Sequence, residues 1–251
     1  MSVHADDWLA GILGYPVFRI AVDSQAAPGW IDREVVPHIA ARSSRTMYYT
    51  KVDTADITTV RALSALGLYV VDVNVTLGIE ARDTIPASRP ARGVDVFECD
   101  DEASGLAAMD IAGSAMRFSR FHLDPAVPVE IAHRIKRDWI HSYVRHLRGD
   151  VLLVARAGGR IVGFNAILSS VSHGARVSTI DLIAVDPSSQ RQGAGRALTA
   201  AFIDRYRATS DLLRVGTQAA NIPSMRLYEA MGFSIRQTTY VMHLHTHSRA
   251  A

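Results

Sequence analysis

The sequence predicts an α/β fold, and three observations support this prediction. Short apolar runs rich in β-branched residues recur along the chain, as expected of buried strands. They alternate with segments that carry apolar residues at spacings of three and four, as helices do. One strand-to-helix junction, within residues 180 to 199, contains a glycine-rich turn. The chain has 251 residues, 48% hydrophobic and 21% charged, which is enough for one large or two modest domains.

Charge and cysteine usage exclude several classes of protein. The net charge of +2 is too balanced to indicate nucleic acid as a partner. The single cysteine, Cys99, rules out an internal disulfide and fits a reducing compartment; we interpret it as structural. No apolar run approaches the roughly 18 residues that span a bilayer, and the N-terminus lacks the pattern of a signal peptide. We therefore expect a cytoplasmic protein with no membrane partner.

The first third of the chain is predicted to form βα units. Trp8 to Ile20 contains two glycines and a proline and is interpreted as a turn that leads into a short strand. A helix capped by Thr54 is expected between two strands. Residues 80 to 93 carry two prolines and no periodicity, which favours a linker. The expected domains are residues 1–92, a partial α/β domain plus linker, and 93–251, a second and larger domain. The remaining expected elements here are a helix over 31–42 and strands over 47–52 and 69–77.

The second domain is predicted to follow the order β-α-α-β-β-β-α-β-α-β. A loop over residues 118–125 is expected between its first two helices. The turn at Gly158 and Gly159 predicts a hairpin. The strands are expected at 94–99, 151–156, 161–169, 182–186 and 212–217 and after Gly232, and the helices at 105–117, 129–147, 196–206 and around Tyr228.

The glycine-rich turn has the composition of a phosphate-binding loop. Gln190 to Gly195 (QRQGAG) follows a strand and opens a helix, whose first amides are unpaired and lie at a positive dipole end. Glycines at 193 and 195 permit positive φ and a close approach of a diphosphate. Gly195 is followed by Arg196-Ala197, so the loop is not a Walker A motif, and Leu198 replaces the third glycine of a dinucleotide fingerprint.

This loop has the form Q/R-x-x-G-x-G/A after a strand ending Ala-Val-Asp, and it resembles that of the GNAT superfamily of N-acetyltransferases. A second family motif follows at Asn221, Ser224, Tyr228 and Gly232-Phe233. The resemblance covers residues 94 to 245, about three fifths of the chain. It implies a GNAT fold with a splayed mixed sheet. A short likeness between residues 65–70 and 230–235 is what a smaller, truncated GNAT-like α/β domain before it would produce. The alternative is a chance likeness, because junctions of helix, glycine and strand recur in many folds.

The resemblance implies acetyl-CoA as co-substrate and a set of residues that bind it. Amides of residues 192 to 196 are expected to hold the pyrophosphate, with Arg191 or Arg196 adding charge or lying solvated at the helix start. A backbone amide within Leu182 to Val185, freed by a β-bulge, is expected to stabilise the oxyanion. The cofactor-binding residues expected are thus Leu182, Ile183, Ala184, Val185, Arg191, Gln192, Gly193, Ala194, Gly195, Arg196 and Asn221.

Tyr228 lies at the family's tyrosine position and is the expected general acid. Its phenol titrates near pH 10, so it can donate a proton to the departing thiolate at neutral pH. The alternative is a core aromatic beside Met225 and Met231. The sequence offers two candidates for the general base that accepts a proton from the amine. Asp181 and His122 are candidates, and the alternatives are a hydrogen-bonded carboxylate at a strand end, a free loop histidine, or a water chain.

Three short features narrow the resemblance to the TDP-fucosamine acetyltransferase group, which acetylates an amino sugar on a nucleotide. They are the early Trp8 with its following Phe-Arg-Ile, the Ser-Arg-Phe loop at residues 119–121 and the helix carrying Trp139-Ile140. The resemblance implies that Arg117, Arg120 and His122 bind the acceptor, although such loop residues can also be merely solvated.

Two further observations concern metals and partners. His243, His245 and His247 alternate along the last strand and could bind zinc, but acetyl transfer needs no metal and we expect none, only a polar terminal strand. That strand, if exposed, could pair with a second copy to form a homodimer. The expected function, as the resemblance implies it, is transfer of an acetyl group from acetyl-CoA to the primary amine of a nucleotide-linked amino sugar, a small-molecule acceptor. The alternatives are acetylation of an antibiotic or other small amine, and a non-catalytic acyl-CoA-binding domain.

Overall fold

The computed structural model describes residues 2–22, 29–83, 93–172 and 174–246. Most of the predicted linker, residues 84–92, and His247 lie outside the described residues. The strands are β1 Val3–Ala5, β2 Val17–Ile20, β3 Thr46–Asp53, β4 Tyr69–Glu80, β5 Val94–Glu98, β6 Val151–Ala157, β7 Arg160–Ser172, β8 Ala175–Val185, β9 Leu212–Gln218 and β10 Ser234–Thr246. The helices are α1 Asp7–Leu13, α2 Val36–Ala40, α3 Ile57–Ala65, α4 Glu102–Ala115, α5 Val129–Val144, α6 Ala194–Tyr206 and α7 Ile222–Ala230. A π-helical turn, Ile31–Val35, precedes α2, and a 3₁₀ turn, Pro187–Ser189, precedes α6.

The described chain forms two compact units, and neither is continuous in sequence. Unit 1 comprises residues 1–74, 119–131 and 238–251, and unit 2 comprises 75–118 and 132–237. The sequence placed a boundary after residue 92 instead. The difference arises because the last strand pairs with β3 from Thr239 to Thr246, and because Asp124 binds His243 and His245 of that strand. Unit 1 therefore includes residues 119–131 and most of the last strand, both of which the sequence analysis assigned to the second domain.

Unit 1 contains the strand order β1-β2-β3-β10-β4. β1 and β2 are antiparallel, β2 and β3 are parallel, and β3 and β10 are antiparallel from Asp53 opposite Thr239 to Thr246 opposite Thr46. β10 is thus an interior strand, which removes the sequence-based argument that it could pair with a second copy. The core of unit 1 contains Tyr48, Leu63 and Met242, all fully buried.

Unit 2 contains the strand order β4-β9-β8-β7-β6-β5, antiparallel from β5 to β8 and parallel between β8 and β9. Alternate residues of β6 enter two separate cores, so the cores cover opposite faces of the sheet. One core includes Leu198 and Phe202 of α6 with Tyr228 of α7, and the other includes Ala108 of α4 with Ile140 of α5. The order of elements from β5 to β10 is the one predicted from the sequence.

Two local predictions for the N-terminal part were wrong. Residues 7–13 form a helix, not a turn, because Asp6 accepts a hydrogen bond from the Leu9 amide and Gly14 ends the helix in the left-handed region. α3 is capped by Asp56, which accepts from the Thr59 amide, and Thr54 instead bonds Thr238. Among the described residues, no helix is long and apolar enough to cross a membrane.

Candidate cofactor site

β8 and β9 diverge in the middle of unit 2. Their parallel pairing ends at Ile180 opposite Val215, although β8 continues to Val185 and β9 to Gln218. The β7–β8 register shifts at the same point, since Ile180 pairs with Ile167 but Leu182 pairs with Ala166. Asp181 is therefore the extra residue of a β-bulge. The sequence predicted a bulge within Leu182–Val185, and the structure has it one residue earlier.

The divergence leaves backbone amides of β8 without a strand partner. The Asp186 amide donates to the Val162 carbonyl of β7, so by alternation the amides of Ile183 and Val185 point away from β7. The Val185 carbonyl points the same way and accepts a bond from the Gln190 side chain. Ile183 and Val185 lie beyond the last β8–β9 pair. Their amides are thus available to an acceptor atom in the gap between the two strands.

The loop after β8 offers a second group of amides. The amides of residues 192 to 196 donate to no other described residue, and the Ala197 amide is the first that bonds a carbonyl, that of Gly193. Gly193 is the N-cap of α6 and makes no side-chain cap. Ala194 is buried, the other side chains of residues 190 to 196 are exposed or half-buried, and Arg196 points toward the Met231 sulfur. Five consecutive free amides at a helix start suit an anion such as a diphosphate.

The two glycines of this loop differ in conformation. Gly193 has φ +93°, and the non-glycine Arg191 also has a positive φ of 62°. Gly195 is helical and has no positive φ, so the prediction that it needs glycine's conformational freedom was wrong. A Cβ at Gly195 would come no closer than 3.5 Å to its nearest neighbour, the Leu227 side chain. Only Gly193 requires glycine on conformational grounds.

α7 carries the second motif. Asn221 caps it by accepting a bond from the Ser224 amide at 3.4 Å. Tyr228 is 2% exposed and packs edge-on against Phe233 with ring centroids 5.8 Å apart. Burial raises the pKa of the Tyr228 phenol above its ordinary value, so the hydroxyl stays protonated. Tyr228 is thus a core aromatic by packing and retains a proton that it could donate.

Asp181 is a partly buried carboxylate with several hydrogen-bond donors around it. Its Oδ2 accepts from Trp139 Nε1, Tyr143 Oη and Arg148 Nε, each at 2.8 Å, and its Oδ1 accepts from Arg148 Nη2 at 3.2 Å. The side chain is 12% exposed. This is the hydrogen-bonded strand carboxylate that the sequence analysis gave as the alternative to a base. The sequence singled out Trp139, but it gave no signal for Tyr143 or Arg148.

The residues expected to bind the acceptor lie in different surroundings. Arg117 is an exposed residue of unit 2. In unit 1, the Arg120 guanidinium lies 3.9 Å from the Tyr49 ring centroid and 4.4 Å from that of Phe121. His122 Nδ1 is 2.6 Å from the Ser119 hydroxyl. Arg120 is therefore held between aromatic faces and is not a solvated loop residue.

The histidines of β10 form a buried network with Asp124 that could in principle hold a metal ion. Asp124 Oδ2 lies 2.6 Å from His243 Nδ1 and 2.8 Å from His245 Nε2, and Oδ1 accepts from the Tyr69 hydroxyl and the Ala126 amide. Arg120 Nη1 lies 3.5 Å from His243 Nε2. Because a guanidinium only donates, it favours the tautomer with the proton on Nδ1, which then donates to Asp124. A divalent cation would have to displace that proton beside a buried positive charge, so we assign the cluster to hydrogen bonding. The sequence gave no signal for Asp124.

Comparisons with known proteins agree with this geometry. Residues 116–233 match the model of the acetyltransferase (GNAT) family. The spore coat polysaccharide biosynthesis protein SpsD of Bacillus subtilis is 28% identical over 139 residues, which are 55% of this chain and 46% of SpsD. A mycothiol acetyltransferase of Pseudarthrobacter chlorophenolicus is 31% identical over 109 residues, 42% of this chain and 32% of that protein. The chain thus covers less than half the length of either relative.

Solved structures show the same fold at low sequence identity. A GCN5-related N-acetyltransferase from Sphaerobacter thermophilus superposes with a TM-score of 0.63 at 15% identity, covering 92% of this chain and 72% of that chain. A GCN5-related N-acetyltransferase from Kribbella flavida superposes with a TM-score of 0.60 at 18% identity, covering 91% of this chain and 80% of that chain. The mixed sheet with helices on both faces is the GNAT fold. Residues 116–233 of this chain are thus similar in sequence to the GNAT acetyltransferase family, and the fold agrees with that similarity.

Proposed function

We propose that the chain is an acetyl-CoA-dependent N-acetyltransferase that acetylates the primary amine of an amino sugar, with a nucleotide-linked sugar as its acceptor. The observation that carries the proposal is the row of free amides at residues 192 to 196, next to the strand end where β8 leaves β9. One group of donors suits a diphosphate, and the other suits a carbonyl or oxyanion. Coenzyme A thioesters carry both groups on one molecule.

In the proposed complex, the loop amides and the charge of Arg191 or Arg196 hold the pyrophosphate. Residues 182 to 185 lie along the pantetheine arm, and Asn221 contributes its side-chain amide. The strand pairing argues for Ile183 or Val185 as the oxyanion donor, since their amides point toward the gap and those of Leu182 and Ala184 point toward β7.

The reaction that these groups support is direct attack. The neutral amine adds to the thioester carbonyl, and the negative charge that develops on the oxygen is stabilised by a β8 amide. Collapse of the intermediate breaks the carbon–sulfur bond, and Tyr228 donates its proton to the thiolate. The amine nitrogen then loses its surplus proton to solvent, which also reprotonates Tyr228. The products are the acetamide and free coenzyme A.

An amino sugar is the proposed acceptor on two grounds. The partial relative SpsD is named for polysaccharide biosynthesis, and the Ser-Arg-Phe and Trp-Ile features resemble the group that acetylates nucleotide-linked amino sugars. Arg117, Arg120 and His122 remain the proposed contacts for the acceptor, because a nucleotide sugar carries a diphosphate.

Calorimetry and a thiol-release assay test the proposal together. We expect heat on titration with coenzyme A, and release of thiol from acetyl-CoA only when an amine acceptor is added. The panel should contain a nucleotide-linked 4-amino sugar, the free amino sugar, an aminoglycoside and a simple alkylamine. Activity on the aminoglycoside alone would contradict the nucleotide-sugar acceptor. Tight binding of coenzyme A without thiol release on any amine would favour a non-catalytic acyl-CoA-binding domain.

A further inference from the structure

The hydrogen bonds to Asp181 join helix α5 to strand β8. Trp139 and Tyr143 lie one turn apart on α5, and Arg148 follows the end of this helix. All three donate to the same carboxylate on β8. We call these four residues, Asp181, Trp139, Tyr143 and Arg148, the Asp181 clamp.

Contacts around the clamp hold its donors in place. The Trp139 ring has Lys136 Nζ and the Arg148 guanidinium each 4.7 Å from its centroid. The Tyr143 ring lies against the backbone of Gly149, which has φ +65°, and a Cβ at Gly149 would overlap that ring. The residue after Arg148 is thus fitted to Tyr143, which fixes the position of Arg148 relative to α5.

The Asp181 clamp binds β8 at the residue where the alternation of its side chains between the two faces of the sheet is interrupted. Ile180, before the bulge, belongs to the core with α6 and α7, and Leu182 belongs to the core with α4 and α5. In a regular strand, residues two apart share a face, so these two would lie on the same side. The extra residue at Asp181 therefore reverses the facing of everything from Leu182 to Val185. Ile183 and Val185 pack toward the core with α6 and α7 as a result.

We propose that the Asp181 clamp fixes the position of this bulge, and that Asp181 is a positioning residue for the amides of Ile183 and Val185 and not the general base. The role of these amides in catalysis rests on the proposed function, whereas the role of the clamp in fixing the bulge does not. A carboxylate that accepts three bonds on one oxygen is already occupied as an acceptor. Its attachment to a packed helix sets the residue at which β8 stops pairing with β9, and hence where the oxyanion donors lie.

Three conservative variants separate positioning from proton transfer. Asp181→Asn removes the charge, and Trp139→Phe and Tyr143→Phe each remove one donor but leave the carboxylate. We expect kcat to fall about tenfold or more in Asp181→Asn and about threefold in each of the other two, because displaced donors stabilise the transition state less well. The Kd for coenzyme A should stay within about threefold of wild type, since the loop amides are untouched. The midpoints of the pH profile of kcat/KM should not move.

A second measurement does not depend on activity. The amide NMR signals of Ile183 and Val185 should shift in all three variants. They should stay in place in two controls of unit 2, Asp211→Asn, which breaks an exposed ion pair with Arg176, and Tyr206→Phe.

Each failure has a distinct signature. Loss of the acidic limb of the pH profile in Asp181→Asn, with full rates in the two aromatic variants, would show that Asp181 is a base and overturn the clamp. Wild-type rates and unmoved Ile183 and Val185 signals in all three variants would overturn it as well. If the wild-type protein releases no thiol and binds no coenzyme A, the proposed function fails, and the amide signals still decide whether the clamp holds the bulge.

Discussion

The Tyr228 side chain combines two properties in one residue. It is almost fully buried in the core shared with α6, which fixes its position, and burial keeps its phenol protonated. No other described residue donates to or accepts from its hydroxyl. A protonated hydroxyl with no partner in the described part of the chain suits a group that gives its proton to a leaving thiolate.

Removing that hydroxyl should affect turnover only. We predict that Tyr228→Phe lowers kcat at least about tenfold and leaves the melting temperature and the Kd for coenzyme A near wild type, because the ring remains in the core. Steady-state kinetics and calorimetry measure these quantities. Tyr206→Phe is the matched control, since Tyr206 packs beside Phe202 away from the proposed site. Unchanged turnover in Tyr228→Phe would remove this residue from the mechanism.

The two loop glycines should respond differently to alanine. Gly193→Ala places a Cβ at φ +93°, which costs about 1–2 kcal/mol and distorts the row of amides. We predict at least about tenfold weaker binding of coenzyme A, the equivalent of about 1.4 kcal/mol. Gly195→Ala, with ordinary contacts at 3.5 Å and a helical backbone, should bind nearly as well as wild type. Equal loss in both variants would contradict the conformational argument.

At the scale of elements, the bulge and the two helix starts define the candidate site. α6 begins at a glycine with no side-chain cap, which leaves its amides free, and α7 begins at Asn221, whose side chain occupies one amide. Because of this difference in capping, we expect the loop before α6 to be the better anion site. An uncapped helix start is less stable on its own, and a bound diphosphate would supply the missing acceptor.

A comparison of two caps tests the second role of Asn221. Asn221→Ala should cost about 0.5–1 kcal/mol of stability, since its capping bond is long at 3.4 Å, and should also weaken binding of coenzyme A. Asp101→Ala removes the 2.8 Å cap of α4 and should cost about 1 kcal/mol or more with no change in that affinity. Urea unfolding measures the free energy of unfolding of each variant, and calorimetry measures its Kd for coenzyme A. An Asn221→Ala protein with unaltered affinity would reduce Asn221 to a cap.

At the scale of the molecule, unit 1 is held together by buried polar groups as well as by its apolar core. Asp124 connects the segment Ser119–Ile131 to β4 through Tyr69 and to β10 through His243 and His245. We propose that this unit is the truncated GNAT-like domain expected from the sequence. The fold match to the Sphaerobacter thermophilus structure covers 92% of the chain and so extends well beyond the family segment.

The Asp124 network should make stability depend on pH. Burial lowers the pKa of His243 from 6.5 to about 4, so between these values the unfolded chain binds a proton that the folded chain does not. Stability should therefore fall as pH falls from 6.5 to 4. It should fall further below 3.8, because hydrogen bonds from His243 and His245 hold the pKa of Asp124 below its ordinary value. Arg120 and His245 face His243 as well, and Arg120 adds to the penalty for a second positive charge.

Urea unfolding at several pH values checks this dependence. His243→Asn keeps a donor for Asp124 but cannot titrate, so its stability should change less between pH 6.5 and 4. His4→Asn, a substitution at an exposed position, is the control, and its stability should depend on pH as that of the wild type does. An unchanged pH dependence in His243→Asn would show that other groups account for it.

The amino-acid sequence by itself determined the order of elements from β5 to β10, the glycine loop and the resemblance to the GNAT family. These depend on hydrophobic periodicity and on residues close together in the chain. Only the tertiary structure decided that Asp181 is the bulged residue bound by Trp139, Tyr143 and Arg148, that Asp124 meets His243, and that the last strand is interior. These contacts join residues from 33 positions apart, for Arg148 and Asp181, to 200 positions apart, for Thr46 and Thr246, and pairing across such separations leaves no periodic signal in the sequence.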